Sequence, residues 1–318
     1  WVASQDYTAD VRMSDNVMTQ LSEAYRKLRN TFRFALGNLA DFDPSRDSVP
    51  EAEMEELDRW MLSRTAELVA QCGKWYEGFE FHRVFHALHD FAVVDLSAFY
   101  FDVLKDRLYT FAARNRARRS AQTAVYRIAK ALLNLATPIM VFTAEEIWRH
   151  FPHVAGDPES AHLALFPKPQ DLGAPLDAAK AVNWEKLLAV RTEVLRALES
   201  ARNAKTISGA LEAKVVLSAG QDLAPLLEQY KSLLPALFIV SQVELGAAAP
   251  ADTQKSESLP GLTVAVHRAE GAKCERCWNY SRHVGENADY PTVCERCVKA
   301  LAEIEETGHA GAQGAASS

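Results

Sequence analysis

Four cysteines set the tightest limit on how this chain can fold. Cys274, Cys277, Cys294 and Cys297 stand as Cys-x-x-Cys, sixteen residues, Cys-x-x-Cys, in GAKCERCWNY and PTVCERCVKA. Two residues between cysteines let both thiolates of a pair point at one metal from a tight turn. Two such turns complete a tetrahedron at Zn–S distances of about 2.3 Å. A reducing compartment disfavours two disulfides, and a thioredoxin-like redox site wants a single pair beside a βαβ pattern. An iron centre in the same four-sulfur cage is the remaining rival, and the spacing favours one zinc ion. Four protein ligands leave no open position for water or substrate, so this zinc is structural. The surrounding segment of some thirty residues has too little core to fold alone, so the metal must supply its stability. His283, between the pairs, reads as a surface residue rather than a ligand. Cys72, the fifth cysteine, stands alone in an apolar helical pattern and reads as core.

The remaining residues are enough for one large core or two smaller ones, with 48 % of 318 in the apolar set. No run of eighteen uncharged apolar residues occurs, and the opening WVASQDYTAD lacks the basic start and apolar stretch of a secretory signal. A cytoplasmic chain without membrane contact is expected. It begins with Trp rather than Met, which reads as a piece of something longer.

Periodicity predicts a mainly α architecture. Val17, Leu21, Tyr25, Leu28, Phe32, Leu36 and Leu39 recur at steps of three and four, on one stripe of a helix capped by Ser14 and Asp15. Pro50 opens a second helix, with Leu57, Trp60, Met61, Leu68, Cys72 and Trp75 on its apolar face. A third is expected over about residues 81–108 and a fourth from Ser120 until Pro138. Thr143 with Glu146 suggests a capping box for a short fifth. After a linker, one more helix spans about residues 178–205. The runs LEAKVVL, ALFIVSQVEL and LTVAVHRA are β-branched-rich and short, so strands are expected there, with a helical stretch around residues 225–231. The predicted organisation is a helical junction over 1–56, an antiparallel helical bundle over 57–209, and a small α/β unit over 210–268. A four-cysteine zinc finger follows over 269–302, then a disordered tail over 303–318.

A net charge of −7 argues against attachment to nucleic acid through overall charge, so any such contact must be local. Two places qualify. Beside the cysteines, Trp278 and Tyr280 offer stacking surfaces next to Arg276, Arg296 and Lys299, although Glu275 and Glu295 dilute the patch. Between Lys105 and Lys130 eight basic residues stand against one acidic, Asp106. Among them Arg107, Arg114, Arg116, Arg118 and Arg119 are candidates for phosphate contact. Arg26, Lys27, Arg29 and Arg33 form a second, weaker stripe. The alternative for each is a solvated helix face, and for Trp278 the packing of a tiny core. Enzyme signatures are absent: no Gly-rich phosphate loop, open His-Glu zinc site or Gly-x-Ser-x-Gly elbow occurs. His82, His86 and His89 share a helical spacing but sit in a core-like aromatic run.

The segments WVASQDY, AYRKLRNTFRFALGNLADFDP, LDRWMLSRT, FYFDVLKDRLYT and RRSAQTAVYRIAKALLNLATPIMVFTAEEIW, followed by CERCW and CERC, resemble the C-terminal part of bacterial isoleucyl-tRNA synthetases of class I. The likeness runs in order along nearly the whole chain. It implies an anticodon-binding bundle from about residue 57 and a zinc module that grips the anticodon end of tRNA(Ile). Cys274, Cys277, Cys294 and Cys297 match the family's zinc ligands, and Trp278 its following tryptophan. The family's two ATP-site signatures do not occur here, so ATP would belong to a catalytic core outside this sequence. The chain itself is expected to be monomeric and inactive, with no catalytic residue of its own. A zinc-stabilised protein-interaction bundle without an RNA role is the alternative. A DNA-repair glycosylase, suggested by the finger alone, is contradicted by the helical first third.

Overall fold

The computed structural model describes residues 1–11, 13–246 and 253–315, with side chains described as far as Glu306. Two compact units divide it. The first comprises Trp1–Leu108 and Ala113–Leu176; the second comprises Asp177–Ser318 together with the short segment Tyr109–Ala112.

The first unit is a helical bundle built around α5 (Arg116–Ala136), in which fifteen of 21 residues are buried. Against it pack α2 (Glu56–Glu77), α1 (Asp15–Asn38), α3 (Phe81–Asp90) and α6 (Val141–Arg149). Met61, Cys72, Val84, Leu96, Leu104, Leu133 and Trp148 are shut off from solvent at its centre. Removing one such Leu side chain is worth about 2–5 kcal/mol. The first 56 residues are part of this unit and do not stand apart: α1 lies on both α5 and the segment Phe91–Tyr100.

Several local expectations change. Only the second half of the α1 stripe is core: Leu28, Phe32 and Leu39 are buried, whereas Tyr25 is exposed. The third helix is continuous in space but changes its winding. After α3 comes a π-helical stretch, Phe91–Tyr100, and then α4 (Phe101–Thr110). Wider winding leaves carbonyls without their usual partners, and the Ala92 carbonyl accepts from Ser97 Oγ at 2.8 Å and from Thr31 Oγ1 at 3.4 Å. The capping box does not form. Thr143 lies within α6, where its hydroxyl meets the Tyr25 hydroxyl at 2.8 Å, and Glu146 pairs with Arg29 instead.

The long helix α7 (Ala178–Asn203) belongs to the second unit, against a four-stranded sheet, and not to the bundle. The sheet order is β2 (Gln242–Leu245), β1 (Ala213–Ser218), β4 (Thr263–Arg268), β3 (Gln254–Lys255). β1 runs parallel to β2 and antiparallel to β4, with Val215 opposite Val243 and Val266. Parallel neighbours need a crossover, supplied by α8 (Ala224–Gln229) and α9 (Leu234–Phe238). The run ALFIVSQVEL is therefore not one strand. Pro235 starts a helical turn, Ile239 ends it in the left-handed region at φ 58°, and only QVEL pairs into the sheet. Inside the unit Trp184 of α7 is fully buried, its ring 6.2 Å from that of Tyr230.

The last helix, α10 (Glu295–Ala315), extends through residues 303–315, where composition alone predicts disorder. Residues 316–318 lie outside the described residues.

Candidate metal centre and nucleic-acid surface

The metal site is assembled by two short structures. The first pair of cysteines sits in the turn of a hairpin, β5 (Ala272–Lys273) and β6 (Tyr280–Ser281). The Cys274 amide donates to the Asn279 carbonyl at 2.8 Å, and the Trp278 amide to the Cys274 carbonyl at 2.9 Å. Closing so tight a turn puts Trp278 at φ 65°, in the left-handed region. Gly271 enters the hairpin at φ 91°, and a Cβ there would lie 2.2 Å from the Ser281 carbonyl oxygen, so only glycine fits. The second pair opens α10: Cys294 precedes it and Cys297 lies in its first turn. Unpaired amides and the positive helix end there favour thiolates. The Glu275 amide donates to the Thr292 carbonyl at 3.1 Å and ties the two halves.

All four Sγ atoms lie within 4.8 Å of one another. A tetrahedral ion at the usual Zn–S length requires separations of about 3.8 Å, and Cys277 Sγ is 3.7 Å from Cys294 Sγ. The cage therefore fits a four-coordinate soft divalent ion, and none of the cysteines is in a disulfide. No other group of three or more potential ligands converges in this way among the described residues, the three histidines of α3 included. The thiols are buried, and Val284, Tyr290, Val298 and Leu301 pack around them. Two donors reach the sulfurs from outside: the Cys294 amide to Cys274 Sγ at 3.3 Å, and Arg276 Nη1 to Cys297 Sγ at 3.8 Å. Such donors offset the charge of a four-thiolate cage and fix its ligands. His283 is on the surface, its ring Nδ1 2.9 Å from Glu286.

Around this cage Trp278 is 61 % exposed, with Lys273 Nζ 5.5 Å from its ring centroid. Its indole is thus presented outward and is not the filler of a small core. Tyr280 is half-buried and Lys299 exposed. Arg276 is committed to Cys297, and the Arg296 guanidinium lies 5.9 Å from the Phe111 ring.

The basic stretch of the first unit separates into ties and free cations. Arg107 grips the fully buried Asp58 with two bonds of 2.9 and 2.7 Å, while the Tyr100 and Ser120 hydroxyls donate to the same carboxylate. Arg118 is bidentate to Asp41 and also donates to the Leu108 carbonyl. Arg119 is buried, its Nη1 donating to the Asp41 carbonyl and to Gln122. Lys105 pairs with Asp102, and Lys130 with Asp157 at 2.6 Å. Arg107 ties α4 to α2, Arg118 ties α5 to the turn after α1, Lys130 ties α5 to the loop at Asp157, and Lys105 pairs within α4, so these four are committed inside the protein and do not form a row of free cations. Arg29 and Arg116 form exposed pairs with Glu146 and Glu53, and Arg114 is exposed without an ion pair among the described residues. Sequence reasoning missed Arg46, which flanks the same region, and Lys273 over Trp278. The turn DFDPSRDSVP and the position just before Cys274 were the available signals.

A helical bundle carrying exposed cations and a closed cysteine cage that presents an aromatic ring define a nucleic-acid-binding class of protein. The family described as the anticodon-binding domain of tRNA ligase matches residues 58–217, and the chain belongs to that family. The family described as the zinc finger found in FPG and IleRS matches residues 271–300, the hairpin and cage built above. An isoleucine–tRNA ligase of Syntrophotalea carbinolica is 49 % identical over 306 residues, 95 % of this chain and 32 % of that relative. Isoleucine–tRNA ligases of Moorella thermoacetica and Symbiobacterium thermophilum are each 46 % identical, over 97 % and 93 % of the chain. The chain spans about a third of the length of these relatives.

Proposed function

We propose that this chain is the tRNA-binding, C-terminal portion of an isoleucine–tRNA ligase, acting at the anticodon end of tRNA(Ile). The metal of the cage is zinc and its role is structural. It fixes the hairpin to α10 and so aims Trp278 with Lys273 over its ring, and Arg276, Arg296 and Lys299 are further cations carried by the same finger. No residue of the chain acts as nucleophile, acid or base. ATP and isoleucine are handled by a catalytic core outside this sequence, and the portion is cytoplasmic and monomeric. No helix among the described residues is long and apolar enough to cross a membrane.

One observation carries the reading: a family match to the bundle and another to the finger stand in one chain that follows its relatives over 95 % of its length. Filter binding of the purified chain to total tRNA tests it. Binding that weakens steeply between 50 and 200 mM salt is expected, log affinity falling by roughly 0.7–0.9 per tenfold rise in salt for each phosphate contact. Binding that is absent, or flat with salt, overturns it. ATP–pyrophosphate exchange is expected to be nil, and measurable exchange would refute the division of labour.

A further inference from the structure

Outside the finger, the first unit carries a cleft of about 390 Å³ between the 46–53 turn and the start of α5. Arg46, Arg114, Arg116 and Arg119 line it, against the carboxylates of Asp47 and Glu53. Its walls are fixed, because the Val49 amide donates to Thr123 Oγ1 at 3.0 Å and the Glu55 amide to Ser120 Oγ at 2.9 Å. Arg46 is held bidentate by Asp47, and Arg116 makes a single contact with Glu53. Arg119 is only 9 % exposed, yet its buried Nε–H meets no acceptor and its Nη2 lies 3.5 Å from Asp47, too long for a hydrogen bond. Arg114 at the rim has no ion pair among the described residues. Burial pulls the Arg119 guanidinium below its ordinary range, and the Asp47 and Asp41 carboxylates, 3.5 and 3.6 Å away, do not fully offset it. The cleft has positive charge in excess, a buried donor without an acceptor, and room for more than a single small ion.

We propose that this cleft is a seat for one phosphodiester group of a polynucleotide backbone, with Arg114 and Arg119 as its principal ligands. Planar guanidinium forks match two phosphate oxygens at once, and an anion here supplies the counter-charge that Asp47 and Glu53 leave wanting. The seat rests on the tRNA-binding reading and specifies a place for it on the bundle, far in sequence from the cysteines. A free phosphate ion has the same local chemistry; the cleft's volume, suited to a phosphate with its flanking sugars, favours the polymer.

Arg114→Ala and Arg114→Lys are the informative variants, because Arg114 is exposed and its removal leaves the ties of the bundle intact. In the full zinc-loaded chain, Arg114→Ala is expected to weaken tRNA binding about 3- to 10-fold at 100 mM salt. The slope of log affinity against log salt should become shallower by about 0.7–0.9, with an unchanged melting temperature. Arg114→Lys should recover most of the slope. If wild type binds tRNA and the slope is unmoved in Arg114→Ala, the seat is wrong while the tRNA reading stands. If wild type shows no salt-sensitive binding, both fall. Inorganic phosphate at constant ionic strength is the control: stabilisation by it that is lost in Arg114→Ala, with tRNA binding unmoved, identifies a free-anion site and overturns the polymer assignment.

Discussion

Replacing Asp58 by alanine should destabilise the bundle more than any other single change to its charged residues. The Asp58 carboxylate is fully buried and accepts four bonds, from both Arg107 Nη atoms, the Tyr100 hydroxyl at 2.8 Å and the Ser120 hydroxyl at 2.6 Å. Its removal leaves the Arg107 guanidinium, only 15 % exposed, without a carboxylate and takes away the acceptor to which the Tyr100 and Ser120 hydroxyls donate. Breaking a buried pair from one side costs about 3–5 kcal/mol, so about 4 kcal/mol is expected for Asp58→Ala. Arg107→Ala should cost less, about 3 kcal/mol, because Tyr100 and Ser120 still serve the carboxylate. The double variant should cost well under the sum, since each change has already removed the shared interaction. Urea unfolding followed by circular dichroism gives these values, and a melting temperature lower by roughly 8–16 °C is the thermal counterpart for Asp58→Ala. A cost below about 1 kcal/mol, or strict additivity in the cycle, would refute the reasoning. A second readout separates a tie from a ligand: where Arg107→Ala is still folded, the salt slope of tRNA binding should equal wild type.

Gly271→Ala should cost about 2–4 kcal/mol and lower metal affinity at least tenfold, read by competition with a chromogenic chelator, because the added Cβ meets the Ser281 carbonyl. Burial pushes the Cys72 thiol up to about 12, so a maleimide at pH 8 should label Cys72 only after denaturant is added; fast labelling of the native chain would contradict its core placement. Burial opposes ionisation of Asp41 and Asp157, but bonds from Arg118 and Gln122 to the first, and from Lys130 and the Val154 amide to the second, outweigh it. Both stay below the usual carboxylate range. Their stabilisation is complete above the unfolded value near pH 4 and is lost as pH falls through the lower folded values. Urea midpoints should therefore drop below about pH 4, and Asp157→Asn should flatten that drop; a midpoint indifferent to acid would contradict the pairing.

The convergence of the four cysteines was legible because its information is local: spacing fixes which sulfurs can meet. The helices were legible for the same reason, as apolar steps of three and four reveal a face without naming what covers it. What covers it was not legible. Tyr25 sits in the α1 stripe but reaches Thr143, 118 residues away, which is also why the apparent capping box fails. The arginines from Lys105 onward read as a charged face because their partners stand far off in the chain, Asp58 at 49 residues from Arg107 and Asp41 at 77 from Arg118. A positive run in sequence says nothing of carboxylates that tertiary structure folds against it. Runs such as ALFIVSQVEL fail for another reason: apolar β-branched residues fit a buried helical turn as well as a strand, and Pro235 with Ile239 decides between them.

The left-handed backbone of Trp278 carries a kinetic consequence. The ring stands on a turn closed by its own amide beside the cysteine cage, with Lys273 over it, so the direction in which the side chain leaves the backbone is set before any partner arrives. A stacking partner then loses little freedom on the protein side and has to fit the face that Lys273 leaves open. Truncating the indole should consequently shorten the residence time of a bound complex while leaving the rate of encounter, governed by charge, almost untouched.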